Sequence, residues 1–187
     1  MNNRLTPLSL KPARYGVAEI VVDPPSAIDR LRGAMDGQPL HRQTYTRLLI
    51  NGTTVMTDAE FETCTNMAVV QQARGRVLIA GLGLGYIIRP MISNTAVESV
   101  LILEKEADVI SLIKPTITSQ KLSIMKADAK CWNANGEKFE TIYLDIWSYI
   151  NSDVRREAGR LQRRFRRWLA PDGWISTWPA QCPRGRY

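Results

Sequence analysis

The stretch Val77-Leu78-Ile79-Ala80-Gly81-Leu82-Gly83-Leu84-Gly85 joins an apolar run to three alternating glycines. A short run that is apolar at every position is typical of a parallel strand buried on both faces. The glycines let the backbone turn tightly and approach a ligand without a side-chain clash. This stretch therefore predicts a buried strand, a ligand-binding loop and the start of a helix.

The spacing of these glycines indicates which class of ligand the loop suits. The dinucleotide fingerprint has the pattern GxGxxG, but Tyr86 stands where its last glycine would be. The pattern found here, GxGxG without the later glycine, is closer to that of methyltransferases.

Strand-like and helix-like segments alternate along the chain after residue 70. The predicted strands are 77–80, 99–103, 122–125, 139–144 and 174–178, and the predicted helices run up to Ile92, over 107–113 and over 153–169. Alternation of this kind implies right-handed crossovers and a mostly parallel sheet. Pro90 predicts that the first helix kinks or starts late, and Pro171-Asp172-Gly173 predicts a turn before the last strand.

The first part of the chain predicts a smaller unit. Asn51-Gly52 lies between β-branched and apolar runs, which is the strongest short signal for a β-hairpin. Ala18 to Val22 reads as a strand, 58–72 reads as a helix, and Ser26 is placed to cap a helix that ends near Met35. The apolar positions of the Ser26 helix, Ile28, Leu31 and Met35, share one face.

Together these elements predict an α/β fold. Residues 71–187 would form a Rossmann-like, doubly wound, mostly parallel sheet that is shortened after the fifth strand. Residues 1–70 would form a small N-terminal extension with a β-hairpin and helix. In such a sheet the ligand lies beyond the carboxyl ends of the strands, at the switch in strand order.

Carboxylates follow three of the predicted strands. Glu104 ends the second strand, Asp128 comes after the third and Asp145 ends the fourth. Three carboxylates along one edge of a sheet suit a cationic ligand with hydroxyl, amine and ammonium donors. The alternative, that Glu104 is an ordinary solvated charge at a strand end, stays open at this point.

From about Tyr45 to Ile146 the sequence resembles the spermidine synthase branch of the class I S-adenosylmethionine-dependent enzymes. The matching segments are 48–61, 77–85, 97–104, 108–110, 127–129 and 139–145. The resemblance covers over half of the chain. It implies a Rossmann-like fold and S-adenosylmethionine as the cofactor.

The resemblance also implies roles for single residues. The glycine loop would lie against the methionine end of the cofactor, Glu104 would hold the ribose, Asp128 would accept from the adenine amino group, and Asp145 would face the reacting end. The cofactor-binding residues predicted in this way are Gly81, Leu82, Gly83, Gly85, Glu104, Lys105, Asp128, Ala129 and Asp145. Asp145 is also the candidate catalytic residue.

Three departures bear on the chemistry. The polyamine-forming enzymes carry a second aspartate three residues after the one that matches Asp145, where this chain has Ser148, a poor base. Leu84 stands where that family often has aspartate, and the chain stops soon after the fifth strand.

The first hypothesis is a methyltransferase of unknown small-molecule or macromolecular acceptor, because methyl transfer needs mainly positioning. The alternatives are a spermidine synthase-like aminopropyltransferase and a non-catalytic module that binds the cofactor or nucleic acid.

The basic balance of the chain bears on partners. Lysine and arginine number 25 against 18 acidic residues, a formal net charge of +7. Seven arginines crowd the predicted helix between Arg155 and Arg167. They could contact nucleic-acid phosphates, but the opposite apolar stripe makes a solvated face of an amphipathic helix the preferred interpretation.

Other residue types exclude further classes. Three distant cysteines, Cys64, Cys131 and Cys182, and a single histidine, His41, predict neither a disulfide framework nor a metal site. No apolar run is long enough to span a bilayer, so a cytoplasmic protein with no membrane contact is expected. The exposed sheet edge after the fifth strand leaves a homo-oligomer possible.

Overall fold

The computed structural model describes residues 8–35 and 39–181. Cys182 lies outside the described residues. None of the helices within these ranges has the length and apolar content needed to cross a membrane.

The first part of the chain forms a four-stranded antiparallel sheet in the order β1-β2-β3-β4 with two helices. Its elements are β1 (Ala13–Tyr15), β2 (Ala18–Asp23), α1 (Ala27–Met35), β3 (Tyr45–Ile50), β4 (Thr53–Thr57) and α2 (Glu60–Gln72). Asn51 and Gly52 have φ values of 51° and 75°, as a tight hairpin turn requires. The predicted hairpin is therefore confirmed.

Helix α1 begins as predicted but packs differently from a core helix. The Asp29 N–H donates to Ser26 Oγ at 3.1 Å, and the Ser26 N–H donates to Asp29 Oδ2 at 3.0 Å, which caps the helix reciprocally. The apolar side chains Ile28, Leu31 and Met35 are 61%, 62% and 77% exposed. This face contacts solvent, because α1 lies outside the core.

The second part forms a five-stranded parallel sheet in the order β7-β6-β5-β8-β9. Its elements are β5 (Gly75–Ala80), α3 (Ile88–Ser93), β6 (Val97–Glu104), α4 (Ala107–Ile113), β7 (Leu122–Lys126), β8 (Phe139–Leu144), α5 (Ser152–Phe165), β9 (Leu169–Thr177) and α6 (Trp178–Gln181). The chain winds outward from β5 in one direction and from β8 in the other. The Rossmann-like α/β fold is confirmed, and its switch point lies between β5 and β8.

Two local predictions are settled by the backbone. Helix α3 starts late, at Ile88, so Pro90 lies in its first turn, where a missing N–H is tolerated. At the other end, α5 stops at Phe165 and β9 already begins at Leu169. A 3-10 helix continues α5 over Arg166–Trp168, so the predicted helical end at 169 differs by one residue. The prediction of a turn before the last strand was wrong, because β9 runs through the predicted turn.

A bulge explains why the predicted turn lies within β9. Phe139 pairs with Leu169 and Thr141 pairs with Trp174, so β9 holds extra residues between these two pairs. Asp172 takes a positive φ of 58° there. The turn-forming residues are accommodated inside the strand rather than before it.

The core has two parts on opposite faces of the parallel sheet. On one face, Val77 and Ile79 join a cluster with Ile20 and Leu48 of the antiparallel sheet. On the other face, the core contains Leu78, Ala80, Leu144, Phe165 and Trp168. The antiparallel sheet therefore shares a core with the parallel sheet and covers the carboxyl ends of its strands.

Candidate functional site

A cavity of about 280 Å³ lies at the carboxyl ends of β5, β6, β7 and β8. Its polar wall comes from the segments that follow these strands. Its apolar wall comes from β3 and β4 of the antiparallel sheet, through Leu48, Ile50, Val55 and Met56. It occupies the place where doubly wound sheets bind their ligands.

The structure brings most of the predicted residues to this cavity. The lining includes Gly81, Leu82, Gly83, Glu104, Lys105, Asp128, Ala129 and Asp145. Gly85 lies elsewhere, against the core: a Cβ on it would meet Leu8, Ile113 and Ile88. Its positive φ of 68° favours glycine, so the turn itself accounts for the glycine at this position.

The glycine loop is held between the ends of β6 and β8. The Gly81 N–H donates to Leu103 O at 2.8 Å, and the Asp145 N–H donates to Ala80 O at 2.7 Å. Gly81 has a φ of +101°, and a Cβ there would overlap the Asp145 carbonyl oxygen. Since the two loops touch through backbone atoms, only glycine fits at this position.

Glu104 is fixed by two backbone donors. Its Oε2 accepts from the Leu82 N–H and its Oε1 from the Glu106 N–H, both at 2.9 Å. The side chain is only 8% exposed. A carboxylate can accept about four hydrogen bonds, so both oxygens keep capacity for a pair of ligand hydroxyls.

The segment after β7 carries the other predicted contacts. Asp128 Oδ1 accepts from the Lys130 N–H at 2.8 Å, and the Cys131 and Trp132 N–H groups donate to Asp128 O. The guanidinium of Arg164, on α5, donates to the carbonyl oxygens of Ala129, Lys130 and Trp132. Helix α5 thereby holds this segment in place.

A second side chain of α5 joins two walls of the cavity. Glu157 binds Lys130 Nζ at 2.6 Å with one oxygen and accepts from Trp147 Nε1 at 2.8 Å with the other. The hydrogen bond from Lys130, followed by that from Trp147, lowers the pKa of Glu157. Trp147 and Ser148, after β8, also line the cavity.

Asp145 is a carboxyl group with little to stabilise its charge. Among the described residues, no side chain or N–H donates a hydrogen bond to it. Burial raises its pKa well above the ordinary value of 3.8, and the charge of Glu62 raises it further. A positive group in the cavity would supply the missing counter-charge.

Glu62 is a cavity residue that the sequence did not reveal. It lies in the first turn of α2 and lines the cavity beside apolar side chains. Burial raises its pKa to about 7, against an opposing hydrogen bond from Asn66 Nδ2 at 3.3 Å. A glutamate near a helix start has no signal that separates it from a solvated one, so only the packing of α2 exposes its role.

Several arginines of α5 are engaged within the molecule. Arg155 donates to Pro179 O, Arg156 pairs with Asp153, and Arg164 holds the segment after β7. Between Arg155 and Arg167, the exposed arginines are Arg156, Arg160, Arg163, Arg166 and Arg167. The apolar stripe opposite them, Val154, Ala158, Leu161 and Phe165, is buried as predicted.

Within residues 8–35 and 39–181, no group of three histidine, cysteine or acidic residues is placed to hold a metal ion. Cys64 and Cys131 are both free and exposed.

Comparison with known proteins gives structural neighbours only. No protein-family model matches the sequence, and no curated protein matches it. The spermidine synthase of Thermotoga maritima aligns with a TM-score of 0.57 at 15% identity, over 91% of this chain and 60% of that one. The N-methyltransferase NodS of Bradyrhizobium japonicum, solved with S-adenosyl-L-homocysteine, aligns with a TM-score of 0.51 at 15% identity, over 64% of this chain and 62% of that one.

This protein has the class I methyltransferase fold. The chain spans about three fifths of the length of those two neighbours. At such low identity the likeness shows the fold, and the chemistry rests on the site itself. The methyltransferase-type sheet places the cavity at the β5–β8 switch point, where Glu104, Asp128 and Asp145 meet.

The residues present fit S-adenosylmethionine. Asp145 is a partly buried carboxyl group with no donor of its own among the described residues, which suits a cationic sulfonium. Glu104 offers two oxygens to a diol. Gly81 and Gly83 leave the loop backbone open to the cavity.

Proposed function

We propose that this protein is an S-adenosylmethionine-dependent methyltransferase. The observation that carries the proposal is the convergence of Glu104, Asp128 and Asp145 on one cavity together with the Gly81–Gly83 backbone. When bound, the cofactor supplies an activated methyl group on a positively charged sulfur.

The residues of this chain would bind and orient the cofactor. Glu104 would hold the ribose hydroxyls, since its two oxygens are already aimed by the Leu82 and Glu106 N–H groups. Asp128 would accept from the adenine amino group beside the Ala129 backbone. Asp145 would lie at the charged end, since it lines the cavity and its backbone N–H donates to Ala80 O, directly before the glycine loop.

The walls from the antiparallel sheet have a second role. Leu48, Ile50, Val55 and Met56 keep water from part of the cavity. A drier cavity strengthens every charge interaction inside it. Positioning and water exclusion are what methyl transfer mainly needs.

The test is calorimetric titration with S-adenosylmethionine, S-adenosylhomocysteine and decarboxylated S-adenosylmethionine. Binding of the first two supports the proposal. Preference for the decarboxylated form would favour aminopropyl transfer instead, and absence of binding by all three would refute the cofactor assignment.

Two variants locate the binding. Asp128→Asn should weaken S-adenosylhomocysteine binding about tenfold, since it replaces a charged acceptor with a neutral amide. Glu104→Ala should weaken it at least as much. Glu98→Ala, on the exposed side of the same strand β6, is the control and should leave the affinity unchanged.

A further inference from the structure

Glu62 enters the cavity from a different part of the chain than the other carboxyl groups. It belongs to α2, whereas Asp145 follows β8. Both line the same cavity, and the charge of Glu62 acts on Asp145. Two carboxyl groups from distant parts of the chain therefore line one cavity, and the charge of one reaches the other.

Apolar side chains line the cavity together with Glu62. Leu48 and Ile50 of β3 and Trp178 of α6 line the cavity with it, and Asn66 is its hydrogen-bond partner. The charged groups that face the cavity from the parallel sheet are Glu104, Lys105, Glu106, Asp128, Lys130 and Asp145. Strands β3 and β4 contribute no charged side chain to this lining.

We propose that Glu62 and Asp145 form a pair of carboxyl groups whose protonation responds to the charge of the ligand. The pair releases a proton when a sulfonium ligand fills the cavity and keeps it when the ligand is a neutral thioether. The inference rests on the proposed function and adds a residue to it. It also makes the site favour the sulfonium substrate over the thioether product.

The physical basis is the cost of a second buried negative charge. Two neighbouring carboxyl groups in an apolar cavity share a proton near neutral pH, because ionising both brings like charges together. A positive charge within about 4–6 Å favours the ionised form and expels that proton. S-adenosylmethionine and S-adenosylhomocysteine differ in just this charge, while sharing their adenosine and amino-acid ends.

The experiment measures protons rather than turnover. Calorimetric titrations with both ligands, in two buffers that differ in ionisation enthalpy, give the number of protons released on binding. At pH 7 the sulfonium ligand should release between about half a proton and about one proton, and the thioether should release none. The affinity for the sulfonium, relative to the thioether, should rise several-fold from pH 6 to pH 8.

Variants of Glu62 and Glu60 show which carboxyl group is responsible for the proton release. Glu62→Gln should lower the number of protons released, because it removes one of the two carboxyl groups, whereas Glu62→Asp, which keeps the carboxyl group, should retain it. Glu60→Gln is the matched control, because Glu60 lies on the same helix but points to Arg42 and Tyr45. It should release the same number of protons as the unmodified protein.

The outcomes are separable. Binding of the sulfonium without proton release overturns the inference and leaves the proposed function standing. Equal release with both ligands, or release unchanged in Glu62→Gln, also overturns it. If neither ligand binds, the proposed function itself fails. Circular dichroism of each variant shows that the comparison is made between folded proteins.

Discussion

Gly81 and Gly136 have similar φ angles but opposite surroundings. Their φ values are +101° and +93°. A Cβ on Gly81 would overlap the Asp145 carbonyl oxygen, whereas a Cβ on Gly136 would meet no atom within 4 Å. Comparing these two glycines separates the cost of a positive φ from the cost of crowding at the candidate site.

Gly136→Ala should therefore lower the free energy of unfolding by about 1–2 kcal/mol, from backbone strain alone. Gly81→Ala should lower it by at least about 3 kcal/mol, because the β5 and β8 loops must move apart. Urea unfolding measures both. Equal losses in the two variants would mean that the close approach at Gly81 is not there.

Glu62 makes stability depend on pH in a specific direction. Its pKa is about 7 in the folded protein against an ordinary 4.5, so the folded state holds more protons than the unfolded state between these values. The free energy of unfolding should therefore fall as pH rises from about 4.5 to 7 and level off above.

Glu62→Gln removes that penalty. The variant should be more stable than the unmodified protein at pH 8, by up to about 3 kcal/mol, and no more stable at pH 4. Thermal unfolding at the two pH values measures the difference. An equal effect at both pH values would contradict a raised pKa.

At the scale of the element, α5 is the helix that shapes the site. Its start is capped by Asn151, whose side chain accepts from the Val154 N–H at 2.8 Å. Its buried stripe packs on the parallel sheet, and Glu157 and Arg164 hold the segments after β7 and β8. The sequence predicted the stripe from its period, but not these polar contacts, because they join residues about 10 to 35 positions apart.

Arg164→Ala should loosen the segment after β7. It removes a guanidinium that donates to the carbonyl oxygens of Ala129, Lys130 and Trp132, and should lower the free energy of unfolding by about 1–3 kcal/mol. Amide exchange over residues 128–132 should become faster. Arg163→Ala, an exposed neighbour on the same helix, is the control and should leave both quantities unchanged.

The order of elements could be predicted from the sequence because each element has a local sequence signal. The apolar runs of β5 and β8, the hairpin at Asn51-Gly52 and the Ser26 cap depend on neighbours in the chain. The start of β9 did not follow the local signal. Pro171-Asp172-Gly173 is a strong turn sequence, yet pairing with β8 absorbs it as a bulge. Non-local strand pairing outweighed local turn preference there.

For the whole molecule, the cavity joins the two sheets. Its lining includes Leu48 and Met56 from the antiparallel sheet and Gly83 from the parallel one, and the Leu84 N–H lies 3.2 Å from Met56 Sδ. A ligand in the cavity therefore contacts both parts of the chain and should stabilise them together.

Saturation with S-adenosylhomocysteine should raise the melting temperature by roughly 5–10 °C at a hundred times Kd. Amide exchange should slow in β3 and β4 as well as in residues 81–84. Exchange in α1, which lies outside the cavity lining, should stay the same. Protection confined to the glycine loop would show that the antiparallel sheet is no part of the site.

The sequence by itself determined the class of fold and most of the residues that meet at the carboxyl edge of the parallel sheet. Buried parallel strands must be apolar, turns that touch a ligand need glycine, and carboxylates at strand ends meet because parallel strands end together. Only the tertiary structure decided that Gly85 belongs to the core, that α1 exposes its apolar face and that Glu62 lines the same cavity as Asp145. These features depend on how the helices and the antiparallel sheet pack against the parallel strands. Packing between segments that are distant in the chain produces no periodic pattern in the sequence.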